Sequence, residues 1–302
     1  MSCSTVLAAI QLQVIRQPDA SAIHFISPSS NGGIQNFSYK DVWGRCCGIA
    51  TVLHGQAVNH KRRTSAGETA RGGDALNRNG APKEAVQGED WGPGAEGVVV
   101  LLVDEGPILP MLMLAVLLSK MVLVPLEPDE APGRLSLVLS ELLPDVVVVK
   151  DDSAREQLLT AVGAGGCEGR SGARASHCVI LTVGEITQQA IAAKSQAGGN
   201  SMCREGDIGH HTALPFGEAE STQVSHVCFT SGSSGRPKGC VVTHRALQAY
   251  STAKIEAFSV TESSKVLIAS PPSVSVYICV RMSVCVCVCV CVCVCVCVCV
   301  HI

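Results

Sequence analysis

The segment from Thr230 to Gly239 combines glycines, hydroxyl side chains and one lysine, a composition suited to binding phosphate groups. Glycines let backbone N–H groups approach an anion closely and adopt positive φ angles. The hydroxyls of Thr230, Ser231, Ser233 and Ser234 add hydrogen-bond donors. Lys238 adds a mobile positive charge that suits a phosphate. We therefore predict a loop that binds a phosphorylated ligand.

Two other interpretations of this segment are weaker. It is not a Walker loop, because the lysine of that motif opens a helix, whereas Lys238 precedes Gly239 and an apolar run. A flexible Ser/Gly linker is the remaining alternative. Apolar runs at 224–229 and 240–242 flank the segment and predict two strands, which argues against a linker.

The elements that must position this loop are predicted from a central region of the chain. Continuous apolar runs are typical of strands buried on both faces, and the runs between them have helical length. The strands are predicted at 97–103, 121–125 and 145–149, and the helices at 107–119 and 134–143. This alternation predicts an α/β fold, with a mostly parallel sheet and flanking helices.

The remaining sequence gives weaker signals. Residues 1–27 predict a helix followed by a strand, and Ser38 is the predicted N-cap of a helix over 40–53. Two stretches rich in Gly and polar residues, 55–96 and 163–222, are predicted to be disordered insertions. Short elements are still expected around the second stretch, namely a helix at 154–161 and a strand at 178–183.

Composition narrows the class of protein. The net charge of -3 over 302 residues gives no reason to expect nucleic acid or an anionic membrane as partner. The apolar stretch 108–126 is interrupted by Lys120, so we predict no membrane span there. Of the 17 cysteines, those outside the C-terminus form neither CxxC pairs nor zinc-like spacings. We therefore expect no metal site and a reducing compartment, the cytoplasm.

The C-terminal region, 273–302, is predicted to be a separate low-complexity tail. Valine and cysteine alternate strictly over 284–300. A translated dinucleotide repeat is the simplest account of this pattern. Metal binding by a row of thiols on one face of a strand is the alternative.

The Gly- and hydroxyl-rich loop resembles the phosphate-binding loop of the adenylate-forming superfamily, which includes acyl-CoA synthetases, luciferases and peptide-synthetase adenylation domains. The family pattern Tyr/Phe-Thr-Ser-Gly-Ser/Thr-Thr-Gly-x-Pro-Lys-Gly fits from Phe229 onward, with Ser234 where threonine is usual. Segments 37–42, 115–128 and 266–271 also resemble the family. Glu127-Pro128-Asp129, the insertion before the loop and Ala269-Ser270-Pro271 are most similar to the beta-alanine-activating branch.

The resemblance implies a fold, a reaction and a set of ligands. Residues 1–272 would form part of the N-terminal domain of the adenylate-forming fold. A carboxylic or amino acid would attack the α-phosphate of ATP, with Mg²⁺, giving acyl-AMP and pyrophosphate. The thiol of coenzyme A or of a carrier protein's phosphopantetheine would then displace AMP. The residues implied to bind the β- and γ-phosphates are Thr230, Ser231, Gly232, Ser233, Ser234, Gly235 and Lys238.

The sequence departs from the family pattern after Pro272. We recognise no adenine-binding segment, no magnesium-binding glutamate and no lid domain with its catalytic lysine, so no catalytic residue is assigned. We expect this chain to be a truncated form without turnover, whose full-length counterpart is an active ligase. The alternative is a non-catalytic product that binds nucleotide weakly at most.

Overall fold

The computed structural model describes residues 5–26, 33–70, 94–164, 178–196, 214–230, 236–261 and 264. The elements in these ranges alternate between helices and strands along most of the chain. They are α1 Val6–Arg16, β1 Ser21–Ile26, β2 Ile34–Ser38, α2 Tyr39–Ala70, β3 Val98–Leu102, α3 Ile108–Leu118, β4 Val122–Leu126, α4 Pro132–Leu142, β5 Val146–Val149, α5 Asp152–Ala164, β6 Val179–Thr182, α6 Val183–Gln196, β7 Val224–Thr230, β8 Lys238–Thr243 and α7 His244–Ala257.

The main sheet has six strands in the order β6-β5-β3-β4-β7-β8. The neighbouring pairs from β6 to β7 are parallel, and β8 runs antiparallel to β7. Strands β1 and β2 form a separate antiparallel hairpin. The predicted α/β fold with a mostly parallel sheet is therefore confirmed.

Helices cover both faces of the main sheet, which explains why its strands are apolar without interruption. Alternate side chains of a strand point to opposite faces. Val99 and Leu101 of β3 pack in a core with residues of α1, α2, α3, α6 and α7, which we call the first layer. Val98 and Val100 pack in a second core with residues of α4 and α5, the second layer.

Helix α3 is apolar on all sides, which is typical of a fully buried helix. Every residue from Leu109 to Leu118 is buried. The helix belongs to the first layer, where α2 covers it: the Cys46 thiol of α2 donates a hydrogen bond to the Met111 carbonyl at 3.4 Å. The residues of α3 thus form a buried core element, and no helix of the described residues is long and apolar enough to cross a membrane.

The start of α2 confirms Ser38 as an N-cap. The Asp41 amide donates to Ser38 Oγ at 3.1 Å, and the Ser38 amide donates to Asp41 Oδ2 at the same distance. This reciprocal pair is a capping box, which satisfies amides that have no partner in the first turn of a helix. Hydrogen bonding to Ser38 also lowers the pKa of the Asp41 carboxyl.

The first predicted insertion, 55–96, is wrong over its first part, because α2 continues to Ala70. Polar residues dominate this stretch, yet one helical face of it is used for packing. Ala57 is 1% exposed, and His60 Nδ1 lies 3.4 Å from Asp145 Oδ1. Lys61 Nζ donates to the Glu96 carbonyl at 2.6 Å. Tertiary contacts therefore hold the helix where its sequence alone shows no clear apolar period; residues 71–93 lie outside the described residues.

The predicted strand at 178–183 is confirmed as β6, but the rest of the second predicted insertion, 163–222, is wrong where the structure describes it. Helix α5 runs to Ala164, and β6 is followed directly by the unpredicted helix α6. Leu214 and Ala219 are buried, and the Phe216 ring stacks on His54 of α2 at 4.6 Å. Residues 165–177 and 197–213, and the tail from 273 onward, lie outside the described residues.

Candidate phosphate-binding site

Strand β7 carries the predicted loop to the edge of the sheet where ligands bind in α/β proteins. β7 pairs parallel with β4 through Leu123 and His226. Because β3, β4, β5, β6 and β7 are parallel, their carboxyl ends meet at one edge. In open α/β sheets, ligands bind in the crevice outside this edge. Thr230 is the last residue of β7 and so opens the loop there.

The two ends of the loop face each other across β7 and β8. Thr230 and Lys238 are direct partners in the antiparallel register, and Thr230 Oγ1 donates to the Lys238 carbonyl at 3.4 Å. Directly opposed residues place their side chains on the same face of a sheet. Both side chains are exposed, so the first hydroxyl and the lysine of the motif stand together at the mouth of the loop.

The middle of the predicted site lies outside the described residues. This applies to Ser231, Gly232, Ser233, Ser234 and Gly235. Their contact with phosphate therefore stays a prediction. The structure adds one observation to this prediction: Thr230 and Lys238 pair directly in the register and so close the loop.

Gly239 has a packing role that the motif alone does not reveal. It lies opposite Phe229 in the register. A Cβ atom at Gly239 would meet Val227 Cγ1 at 3.0 Å and the Phe229 ring at 3.4 Å. The residue after the lysine therefore lets β8 lie close against the side chains of β7. Pro237, just before the lysine, is buried.

Arg134 joins the site from α4, the helix that follows β4. Its Nη2 donates to the Phe229 carbonyl at 3.3 Å, one residue before the loop. Its Nε lies 3.4 Å from Glu130 Oε1, one turn earlier. Arg134 is not among the site residues predicted from the sequence. The acid–arginine spacing of four residues at a helix start was the available signal.

Lys238 differs from another lysine at the same edge of the sheet. Lys150 follows β5, and its Nζ lies 3.4 Å from Asp104 Oδ2. Within the described residues, Lys238 makes no ion pair, and its side chain is exposed. Its charge is available to an anionic ligand at the mouth of the loop.

Two buried histidines lie close together beneath the hairpin formed by β7 and β8. Ser225 Oγ donates to the Val242 carbonyl at 2.9 Å and lies 3.0 Å from His226 Nδ1. Since the Ser225 proton is used, His226 Nδ1 must donate to Ser225 Oγ, which assigns the tautomer. Nε2 of His226 and both ring nitrogens of His244 have no hydrogen-bond partner among the described residues.

Both rings are held in the neutral form. Burial lowers the pKa of His226 to about 4, and the nearby His244 acts in the same direction. Burial lowers the pKa of His244 to about 4. A histidine within an apolar strand was the sequence signal for this pair, and we missed it.

The described residues fit an anionic ligand. A hydroxyl, a lysine and, behind them, an arginine converge where five strands end, and none of these groups is an acid or a base poised for proton transfer. Among the described residues, no group of three or more His, Cys, Asp or Glu side chains is placed to hold a metal ion. The arrangement can bind and neutralise anionic oxygens.

A Gly- and hydroxyl-rich segment that follows a strand at the carboxyl edge of an α/β sheet is typical of nucleotide-binding domains. The chain matches the family described as AMP-binding enzyme over residues 90–300, and it belongs to that family. The match covers most of the chain and includes residues beyond Pro272, where we predict a separate tail.

Relatives of the chain include large peptide synthetases. The nonribosomal peptide synthetase ivoA of Emericella nidulans is 25% identical over 196 residues, which is 64% of this chain and 10% of that protein. Nonribosomal peptide synthetase 5 of Gibberella zeae is 30% identical over 168 residues, or 56% of this chain and 1% of that one. The chain thus spans a small part of the length of these relatives.

Solved structures of adenylate-forming enzymes share the fold. A fatty acyl-adenylate ligase from L. pneumophila, in complex with acyl adenylate and pyrophosphate, superposes with a TM-score of 0.59 at 14% identity, over 95% of this chain and 39% of that one. The N-terminal domain of FACL13 from Mycobacterium tuberculosis gives 0.62 at 14% identity, over 94% and 55%. ATP-bound MatB from Rhodopseudomonas palustris gives 0.56 at 18% identity, over 92% and 43%. These likenesses confirm the predicted fold, that of the N-terminal domain of adenylate-forming enzymes.

Proposed function

We propose that this chain belongs to an enzyme that uses ATP to activate a carboxylic or amino acid as an acyl-adenylate, for transfer to a thiol. Membership of the AMP-binding family supports this reaction class. The observation that carries the proposal is the register of Thr230 with Lys238, which closes the phosphate-binding motif at the ligand-binding edge of the sheet.

Each residue of the loop has a proposed role in binding the triphosphate. Lys238 neutralises the β- and γ-phosphates, and the Thr230 hydroxyl turns away from the Lys238 carbonyl to donate to one of their oxygens. The backbone amides and hydroxyls of 231–235 surround the same groups. When the acid carboxylate attacks the α-phosphate, these donors stabilise the pyrophosphate that leaves. Mg²⁺ accompanies the triphosphate, and coenzyme A or a carrier's phosphopantetheine is the proposed acceptor.

The acid is proposed from the resemblance to the beta-alanine-activating branch. That resemblance rests on residues such as Glu127-Pro128-Asp129, which follow β4 at the ligand-binding edge. Beta-alanine is therefore the first acid to test. Other small amino acids and fatty acids complete the panel, because peptide synthetases and a fatty acyl-adenylate ligase are among the similar proteins.

ATP–pyrophosphate exchange tests this proposal directly. The purified chain is incubated with ATP, Mg²⁺, labelled pyrophosphate and one acid at a time. The sequence predicts no turnover for this chain; acid-dependent exchange that falls about tenfold or more in Lys238→Ala, because the loop loses its positive charge, would overturn that expectation and support the enzyme. Lys194→Ala is the matched control, since Lys194 is an exposed lysine of α6, the helix that follows β6 at the opposite end of the sheet. Equal loss in both variants would contradict the proposed role of Lys238.

The second candidate is a nucleotide-binding protein without turnover. It rests on the exposed Lys238 at the mouth of the loop, a group that binding alone would use. The same samples distinguish the two candidates. ATP binding by calorimetry without exchange, weakened by Lys238→Ala, would favour the binding protein. If folded protein showed neither ATP binding nor exchange, the phosphate-binding site itself would be refuted.

A further inference from the structure

Two cysteines face each other directly behind the phosphate-binding loop. Cys228 of β7 and Cys240 of β8 are partners in the antiparallel register, two pairs away from Thr230 and Lys238. Both are thiols in the structure. They therefore bracket the whole loop, one on each strand that carries it.

The two thiols lie on the same face of the sheet. Directly opposed residues of an antiparallel pair share a face, with Cα atoms about 4.5 or 5.5 Å apart. Disulfides accept Cα separations of about 4.4–6.8 Å. Cys228 packs in the core of the first layer, and Val242, two residues after Cys240, packs against that same core. The backbone register thus places the pair within the geometric range of a disulfide.

The two thiols differ in their exposure to solvent, which gives them different roles in an oxidation. Cys240 is exposed on β8, the last strand of the sheet as described, whereas Cys228 is 2% exposed. A dissolved oxidant can reach the thiol of Cys240, and the buried thiol of Cys228 lies next to it on the neighbouring strand. The other described cysteines have no such arrangement: Cys46 and Cys47 are adjacent and buried in α2, and Cys178 lies at β6, the other end of the sheet.

We propose that Cys228 and Cys240 form a reversible cross-strand disulfide when the protein meets a small disulfide oxidant such as glutathione disulfide. The Cys240 thiolate attacks the oxidant, giving a mixed disulfide and releasing one glutathione thiolate. The Cys228 thiolate then attacks the Cys240 sulfur and releases the second glutathione. The two thiol protons end on the released glutathiones, so one glutathione disulfide is reduced to two thiols as the protein pair is oxidised.

The bond would change the part of the chain that holds the loop. It would close a ring from residue 228 to residue 240 that contains every predicted phosphate-binding residue. β8 could then no longer separate from β7, so Thr230 and Lys238 would stay in register. The disulfide is a covalent modification of the strands and does not depend on the proposed enzyme activity.

The tryptic peptides of this sequence make the bond easy to detect. Cleavage after Arg204 and Lys238 gives a peptide 205–238, because the Arg236–Pro237 bond resists trypsin, and the next peptide is 239–245. Each contains one cysteine, and the Val-Cys tail falls in a separate peptide. The folded chain is equilibrated with mixtures of reduced and oxidised glutathione, its remaining thiols are blocked, and the digest is analysed by mass spectrometry without reduction.

We expect the linked pair 205–238/239–245 to increase with the fraction of oxidised glutathione and to disappear after reduction. It should be lost in Cys240→Ser and unchanged in Cys178→Ser, the matched control. Either of two results would overturn the proposal. One is the absence of the linked pair from folded protein in excess oxidised glutathione. The other is peptide 239–245 joined mainly to the tail peptide.

Discussion

Mild acid should destabilise this protein through the buried pair His226 and His244. Both rings are almost fully buried, and burial is the main cause that lowers each pKa to about 4. In the unfolded chain the same rings titrate near the ordinary histidine value of about 6.5. Between these two values the unfolded state binds protons that the folded state does not. The free energy of unfolding therefore falls as the pH is lowered through this window.

The size of the effect follows from the shift. Each pKa unit corresponds to about 1.4 kcal/mol, so a shift from 6.5 to about 4 makes each ring contribute on the order of 3 kcal/mol. That contribution is fully present above about pH 6.5 and lost by about pH 4. Since domains of this kind have stabilities of about 5–15 kcal/mol, two such rings account for a large fraction.

Urea unfolding at a series of pH values from about 7.5 to about 4.5 measures this directly. The circular dichroism of the helices reports unfolding. The wild type should lose several kcal/mol across the series. His226→Gln and His244→Gln remove one titrating ring each and should flatten the dependence. His24→Gln is the matched control, because His24 is exposed on β1. A dependence equally steep in all four proteins would refute the assignment to the buried pair.

Two further predictions concern glycines, with Gly33→Ala as the common control because an added Cβ there meets nothing within 4 Å. Gly97→Ala should lower the free energy of unfolding by about 3 kcal/mol. The φ angle of Gly97 is +146°, and the new Cβ would collide with the Asp145 carboxylate. Urea unfolding unchanged from the wild type would contradict this expectation. Gly239→Ala should lower the free energy of unfolding by about 1 kcal/mol, because its Cβ would press on Val227. The same change should weaken ATP binding. Calorimetry that showed wild-type affinity for ATP would contradict this expectation.

The central sheet could be predicted from the sequence because its strands are buried on both faces. A parallel sheet covered by helices requires continuous apolar strands, and Val98–Leu102 and Val146–Val149 show no polar residue at all. Few alternative structures accommodate such runs in a chain that has helices between them. The alternation then fixed the layers of the domain without any knowledge of long-range contacts.

The polar helices were not predicted mainly because contacts far apart in sequence hold them. Helix α2 packs against α6 through small residues. A Cβ added at Gly48 would meet Ala190 Cβ at 3.3 Å, so the two helices lie close together there. This contact leaves little apolar signal in either sequence. A local signal for α6 did exist: the Thr182 amide donates to Glu185 and the Glu185 amide donates to Thr182, a capping box that we overlooked.

The residues of the candidate site also divide into those that the sequence predicts and those that it does not. The positions of Thr230 and Lys238 followed from a strand-loop-strand pattern, because such a loop must bring its two ends together. The contact of Arg134 with the Phe229 carbonyl joins residues 95 positions apart, and the local spacing of Arg134 to Glu130 does not indicate this partner. His226 and His244 come together because β7 and β8 pair, which places His226 opposite Val242, two residues before His244.

The two ends of the loop are held with unequal strength, and this bears on how the site works. The Thr230 end extends from β7, which is buried between β4 and β8. The Lys238 end extends from β8, an exposed strand that pairs with β7 and has no second neighbour among the described residues. Phosphate affinity should therefore respond most to changes that alter the β7–β8 pairing, such as Gly239→Ala or a Cys228–Cys240 bond. Changes on the far side of β4 should affect stability first and phosphate binding only through it.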